Sequence, residues 1–261
     1  MAVPQAIVCI LGDGKQGNSV EADLHSVGFG TFPVSWKELD GQPNGWIQIS
    51  QPLDDPGVVA WVIAGTAEDF NESVRAKIAM LTLGLERKIP PATAFVLTDD
   101  QEIEDVPYSM NHIQIYRQSQ KYAAKLLVAK VRPQPFSALH FHVKAHLDPL
   151  VGAWLEVGPP ADEKWDGFMA AVTHAKVVGF GVGPRGKIPS KSTLLYPMLG
   201  IEGSLGDLPF NACAARNELT SEISCFMRLD GAPGNVLCLD YPENGQSCEQ
   251  PGRPPVQLEL I

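Results

Sequence analysis

The sequence lacks the features of several classes of protein. No apolar stretch reaches the ~18 residues that a membrane span requires. No basic segment precedes the apolar N-terminal stretch, so we expect neither a membrane anchor nor a signal peptide. The five cysteines form no Cys-x-x-Cys pair, and an odd count without a disulfide framework favours a reducing compartment. Together these absences predict a cytoplasmic protein.

Basic residues are also scarce. The chain has 20 Lys and Arg against 30 Asp and Glu, a formal net charge of −10, and it has no basic face. Because phosphate neutralisation dominates affinity for nucleic acids, we expect no nucleic-acid partner, and anionic membrane surfaces are disfavoured in the same way. The hydrophobic content of 44% over 261 residues instead predicts a folded globular protein with one large domain or two ordinary ones.

The first half of the sequence alternates strand and helix patterns. Three continuous apolar runs, Ala6–Leu11, Val58–Ala64 and Ala92–Leu97, are typical of strands that are buried on both faces. Thr31–Trp36 contains Pro33, and His112–Tyr116 alternates apolar with polar residues, so both predict edge strands. With helices near 70–85 and 118–131, these strands predict a flavodoxin-like, doubly wound parallel sheet of order 2-1-3-4-5.

A proline-containing segment, Arg132–Pro135, divides this region from one of different texture. Beyond it, glycine-rich turn signals recur about every ten residues, which is typical of a β-rich fold. We therefore predict an α/β domain over 1–132 and a smaller β-rich domain, resembling a sandwich or barrel, over 136–261. The predicted strands of the second domain are Leu139–Leu147, Ala153–Val157, Val177–Val182, Ile223–Leu229, Val236–Asp240 and Val256–Leu260.

A glycine pattern follows the first predicted strand. Gly12-x-Gly14-x-x-Gly17 lies between that strand and a helical pattern, and it resembles the dinucleotide-binding fingerprint. Leu24 and Gly28 extend the resemblance, although Glu21 stands where the fingerprint has a small residue. The resemblance implies that a nucleotide phosphate binds at the start of the helix.

In a sheet of this order, ligands bind beyond the carboxyl ends of the strands. Acidic residues that gather at this edge are candidates for Mg²⁺ binding or acid–base chemistry, or else they cap helices. The predicted site for a small anionic or nucleotide ligand consists of Gly12, Asp13, Gly14, Lys15, Gly17, Asn18, Thr66 and Asp99.

One predicted strand of the second domain carries several histidines. His140, His142 and His146 share one face of it, and two histidines at i and i+2 can bind zinc when a further ligand is supplied elsewhere. Lys144 lies on the same face and opposes a metal cation. The alternative is a polar strand surface that faces solvent or an interface.

The segment 183–192 holds the one basic cluster of the sequence. Arg185, Lys187 and Lys191 are candidates for binding a phosphate or a carboxylate. The alternative is a solvated loop or a contact with an acidic partner.

Two classes of function fit these patterns. In the first, the protein is a binding or interaction protein whose α/β domain holds a small anionic ligand and whose β-rich domain contacts a partner such as a second copy. In the second, it is an enzyme that uses a nucleotide at Gly12–Gly17 or a metal at His140 and His142. We favour the first class, because the sequence does not supply a complete set of catalytic roles.

Overall fold

The structure is a computed structural model that describes residues 3–12, 14–86, 91–103, 113–118, 121–129, 141–190, 201–205, 207–215, 217–240 and 256–259. The chain divides into two units by its internal contacts. The first comprises Met1–Leu81 and Leu85–Phe136, and the second comprises Thr82–Gly84 and Ser137–Ile261. The domain limits 1–132 and 136–261 remain a prediction.

A five-stranded parallel sheet organises the first unit. Its strands are β1 (Gln5–Ile10), β2 (Gly30–Ser35), β3 (Val58–Gly65), β4 (Ala92–Leu97) and β5 (Gln114–Arg117), in the order β2-β1-β3-β4-β5. The predicted order is therefore confirmed. Pro33 lies in the edge strand β2 opposite Val8, where the missing N–H of proline removes no central ladder bond.

The helices of the first unit follow the strands along the chain. They are α1 (Gly14–Ser26), α2 (Trp36–Asp40), α3 (Ser50–Leu53), α4 (Glu72–Gly84) and α5 (Tyr122–Ala129). The last three residues of α4 are counted with the second unit. Short 3-10 turns at Gly45–Ile49 and Glu68–Phe70 precede α3 and α4. None of the helices in the described ranges is long and apolar enough to cross a bilayer.

The central strands are buried on both faces. Val62 on β3 packs with Leu24 of α1 and Leu126 of α5 in one cluster. Successive residues of a strand point to opposite faces of the sheet. On the face opposite to this cluster, the ring of Phe95 on β4 contacts Phe70, with 4.4 Å between the ring centroids. Burial on both faces explains why these strands read as continuous apolar runs in the sequence.

The second unit consists of antiparallel sheets. One sheet has the order β6-β7-β12-β9, and the other has the order β10-β11-β8-β13-β14. Phe168 of one sheet and Phe180 of the other lie with 5.8 Å between their ring centroids. The strands are β6 (His142–Asp148), β7 (Gly152–Gly158), β8 (Phe168–Val172), β9 (Lys176–Pro184), β10 (Ile201–Leu205), β11 (Leu208–Ala215), β12 (Ile223–Asp230), β13 (Asn235–Asp240) and β14 (Val256–Glu259).

The sequence patterns left β8 open between helix and strand, and they did not predict β10 and β11. Phe168–Val172 also fits a helical spacing, but pairing with β11 on one side and β13 on the other makes it a central strand. β10 and β11 form a hairpin in which β11 is rich in alanine and has no β-branched residue. Their strand character comes from the pairing and not from local propensity.

Candidate functional site

The glycine turn lies at the carboxyl edge of the parallel sheet. Leu11, just after β1, donates its N–H to the carbonyl of Ala64 near the end of β3, at 2.9 Å. Thr98, just after β4, donates to the carbonyl of Gly65 at 3.0 Å. The residues that follow β1, β3 and β4 are therefore neighbours, and these include the predicted Gly12, Thr66 and Asp99.

Gly14 and Lys15 begin α1 at this edge, Asn18 is exposed in the next turn, and Asp13 is not among the described residues. Helix N–H groups in a first turn have no partner within the helix, so they are available to an anion. The placement of α1 thus agrees with the geometry that the fingerprint implies.

Gly17 has a packing role of its own. It is buried, and a Cβ built at this position would overlap Cδ1 of Ile10 and lie 2.8 Å from its Cγ1. A side chain at position 17 would therefore require the side chain of Ile10 to shift. This third glycine is thus explained by helix–strand packing without reference to a ligand.

Two acidic residues at this edge hold the loop that follows β3. Oδ2 of Asp69 accepts hydrogen bonds from the N–H and the hydroxyl of Thr66, each at 2.8 Å. Oδ2 of Asp99 accepts one from the N–H of Ala67 at 3.2 Å, which ties the loop after β4 to the loop after β3. These bonds account for one oxygen of each carboxylate.

Two other oxygens at the same edge are enclosed without a partner. Oγ1 of Thr98 and Oδ1 of Asp99 are buried and make no hydrogen bond within the described part of the chain. Buried polar atoms are rarely left in this way, because an unpaired acceptor costs about 1–3 kcal/mol. They are acceptors that a ligand with O–H or N–H donors would satisfy.

The histidine strand leads to a second cluster, in the second unit. His142 and His146 lie on one face of β6, and the fully buried Glu156 lies on the adjacent strand β7. Nε2 of His146 is 2.7 Å from Oε2 of Glu156, and Nε2 of His142 is 3.1 Å from Oε1. A carboxylate only accepts hydrogen bonds, so Nε2 of His146 carries the proton of its bond to Glu156. Nε2 of His142 is close to Glu156 but makes no hydrogen bond within the described part of the chain.

Glu156 is held by the backbone as well. The N–H of Gly186, which has the left-handed φ of 79°, donates to both of its oxygens at 3.0 and 3.1 Å. Burial by itself raises the pKa of Glu156. The nearby ring of His142, the hydrogen bonds from His146 and Gly186 and the hydroxyl of Ser224 outweigh that effect and hold its pKa far below the usual range. Glu156 is therefore an ionised carboxylate inside the protein.

Arg185 belongs to the same cluster. Its Nε donates to the hydroxyl of Ser224 at 3.3 Å, and one terminal nitrogen donates to the carbonyls of Pro159 and Thr220 at 2.9 and 3.0 Å. Burial lowers the pKa of Arg185, and the charge of Glu156 opposes that shift. Much of the hydrogen-bonding capacity of this guanidinium is therefore used within the protein.

The predicted anion site is only partly described. Lys187 is exposed, and Lys191 lies outside the described residues. The anion site at Arg185, Lys187 and Lys191 remains a prediction.

The predicted zinc site is only partly described. Among the residues that the structure covers, no group of three or more His, Cys, Asp or Glu side chains is arranged to hold a metal ion. His142 and His146 each meet a different oxygen of one carboxylate. His140 is not covered, so a zinc site at His140, His142 and His146 also stays a prediction.

Glu156 is the residue that sequence reasoning missed. It is the one charged residue in the apolar run Ala153–Val157. A charge within a buried run needs a partner, since a buried carboxylate without one is costly. In the observed register between β6 and β7, Lys144 lies opposite Glu156. Strand alternation then places His142 and His146 beside Glu156, so the contact follows once this register is known.

Comparison with known proteins gives no match, either to a protein-family model or to a curated protein. Function is therefore argued from these two clusters and from the chemistry of their residues.

Proposed function

We propose that this is a ligand-binding protein whose first unit, a flavodoxin-like domain, binds a nucleotide or a similar small anion at the carboxyl edge of its sheet. The observation that carries the proposal is the strand order β2-β1-β3-β4-β5. In this order the connection after β1 leads to β2 on one side, and the connection after β3 leads to β4 on the other side. Ligands of such sheets bind at the carboxyl ends of the strands between these two connections.

The chemistry of the edge favours a ligand with two kinds of group. The first turn of α1, beginning at Gly14, offers N–H donors to a phosphate. Thr98 and Asp99 offer the buried acceptor oxygens described above, which suit hydroxyl groups. A nucleotide carries both, a phosphate and the hydroxyls of its ribose.

In this proposal the second unit contacts a partner, such as a second copy of the chain.

The enzyme alternative with a metal at the histidine strand has less support. In the described structure, Glu156 already engages Nε2 of His146 and lies beside Nε2 of His142.

Thermal unfolding in the presence of ligand tests the proposal, because a molecule that binds the native state raises its stability by RT ln(1 + [L]/Kd). We expect at least one of NAD(H), NADP(H), ATP, GTP and FMN at millimolar concentration to raise the melting temperature. Asp99→Asn should reduce that shift, because the amide can keep the hydrogen bond from Ala67 while its NH₂ replaces the unpartnered acceptor.

Asp55→Asn is the matched control. Asp55 precedes β3 at the opposite edge of the sheet, where its Oδ1 accepts a hydrogen bond from the N–H of Gly57 at 2.7 Å. This variant should keep the full ligand-dependent shift. If no compound in the panel shifts the wild-type melting temperature, or if both variants lose the shift equally, the proposed site is wrong.

A further inference from the structure

An open groove of about 620 Å³ lies at one end of the second unit. It is bounded by the turn between β8 and β9, the β10–β11 hairpin and the end of β12. Its size falls within the range of pockets that bind small molecules. The lining residues are Val172, His174, Ala175, Lys176, Glu202, Gly203, Pro209, Phe210, Asn211 and Asp230.

The turn that carries His174 is firmly anchored. Thr173 is fully buried, and its hydroxyl accepts hydrogen bonds from the backbone N–H and the side-chain amide of Asn235, at 2.8 and 3.2 Å. The carbonyl of Thr173 accepts a further bond from the N–H of Gly234. His174 itself has a φ of 59°, in the left-handed region that costs energy for a side-chain-bearing residue. Such strain persists only where the surrounding structure imposes it.

The inner wall of the groove is a built feature. Asn211 is 7% exposed, and its Oδ1 accepts a hydrogen bond of 2.8 Å from the N–H of Val177. This bond joins the two sheets beneath the groove. Gly203 leaves room for the ring of Phe210, since a Cβ at that position would lie 2.5 Å from Cζ.

The groove presents charges of both signs over an apolar base. Glu202 and Asp230 are exposed carboxylates, and Lys176 is an exposed ammonium group. Lys176 and Asp230 occupy opposite positions on β9 and β12. Pro209 and Phe210 contribute apolar surface to the same groove.

We propose that this groove binds a small zwitterion of the amino-acid class. An ammonium group on the ligand complements Glu202 and Asp230, and a carboxylate complements Lys176, so a molecule with both groups matches both signs of charge. A purely anionic ligand would be repelled by the two carboxylates. A purely cationic ligand would make no favourable contact with Lys176. The apolar lining accommodates an aliphatic or aromatic side chain.

Isothermal titration calorimetry of the full chain with each of the common L-amino acids tests this proposal. We expect saturable binding of at least one of them at millimolar concentration or below. Glu202→Gln and Lys176→Gln should each weaken it about tenfold, the effect of losing one hydrogen bond between charged groups. The decarboxylated analogue of that amino acid, which keeps the amine and lacks the carboxylate, should bind the wild-type protein about tenfold more weakly than the amino acid does.

Glu222→Gln is the control, because Glu222 is an exposed carboxylate of the same unit that does not line the groove. Melting temperatures equal to that of the wild type would show that each variant is folded. The proposal is overturned if no amino acid binds, if Glu202→Gln and Lys176→Gln both bind as tightly as the control, or if the decarboxylated analogue binds as well as its parent.

Discussion

Oε2 of Glu156 lies 2.7 Å from Nε2 of His146, although the two residues belong to different strands. The register between β6 and β7 places Lys144 opposite Glu156. His142 and His146 are then the two diagonal neighbours of the carboxylate, within reach of a long side chain. The pairing of two ordinary strands thus assembles a buried charged cluster from residues 10 and 14 positions apart in the chain.

Removal of the buried charge should destabilise the second unit. Glu156→Gln replaces the carboxylate that accepts hydrogen bonds from His146 and Gly186 by an amide, and losing a hydrogen bond to a charged group costs about 1.5–3 kcal/mol. Urea unfolding, monitored by hydrogen exchange of the backbone amides in β6, β7 and β12, measures the loss of stability. Glu163→Gln, an exposed carboxylate of the same unit, should change stability by less than ~0.5 kcal/mol. Equal effects of the two substitutions would contradict the structural role of Glu156.

The same residue predicts a pH dependence. The pKa of Glu156 in the folded protein is lower than its ordinary value of 4.5, so ionised Glu156 stabilises the folded state above that pH. This contribution is lost as the pH falls below 4.5 toward the lower folded pKa. The free energy of unfolding should therefore fall more steeply from about pH 5 to about pH 3 in the wild type than in Glu156→Gln. Parallel curves for the two proteins would refute the assignment.

Gly17 should tolerate a side chain better when Ile10 is shortened. Gly17→Ala places a Cβ against Cδ1 and Cγ1 of Ile10, and such overpacking typically costs about 1–3 kcal/mol. Ile10→Val removes Cδ1, so the double variant should recover part of the stability that the single Gly17→Ala variant loses. A double-mutant cycle from urea unfolding measures this coupling. Strictly additive effects would show that the two positions do not meet.

Cys9 should be inert in the folded protein. Its thiol is fully buried on β1 and accepts a hydrogen bond of 3.3 Å from Nε1 of Trp61. Burial raises the pKa of Cys9 to about 12, with the Trp61 bond acting in the opposite direction, and only a thiolate reacts readily. Iodoacetamide at mildly alkaline pH should label Cys9 in urea and not in buffer, as measured by peptide mass spectrometry. Labelling at equal rates in both conditions would contradict the burial.

The central part of the first sheet could be predicted because burial on both faces leaves a local signal. Strands such as Val58–Gly65 read as uninterrupted apolar runs, and Pro33 marks an edge, since each pattern reports the surroundings of its own strand. The strand order followed from these signals and the right-handed crossover rule. The sequence left β8 open between helix and strand and did not predict β11, because pairing with distant strands decides those segments.

The sequence alone determined which residue types are available to each site, and the tertiary structure decided which of them meet. The histidines of β6 were visible as one face of a strand, but their contact with Glu156 depends on a register that no local pattern specifies. Arg185 was visible as part of a basic cluster, but only the fold shows that its donors bind Pro159 and Thr220. Strand alternation is a pattern within a few neighbouring residues. These contacts instead join segments that are distant in the chain and meet only when the sheets form.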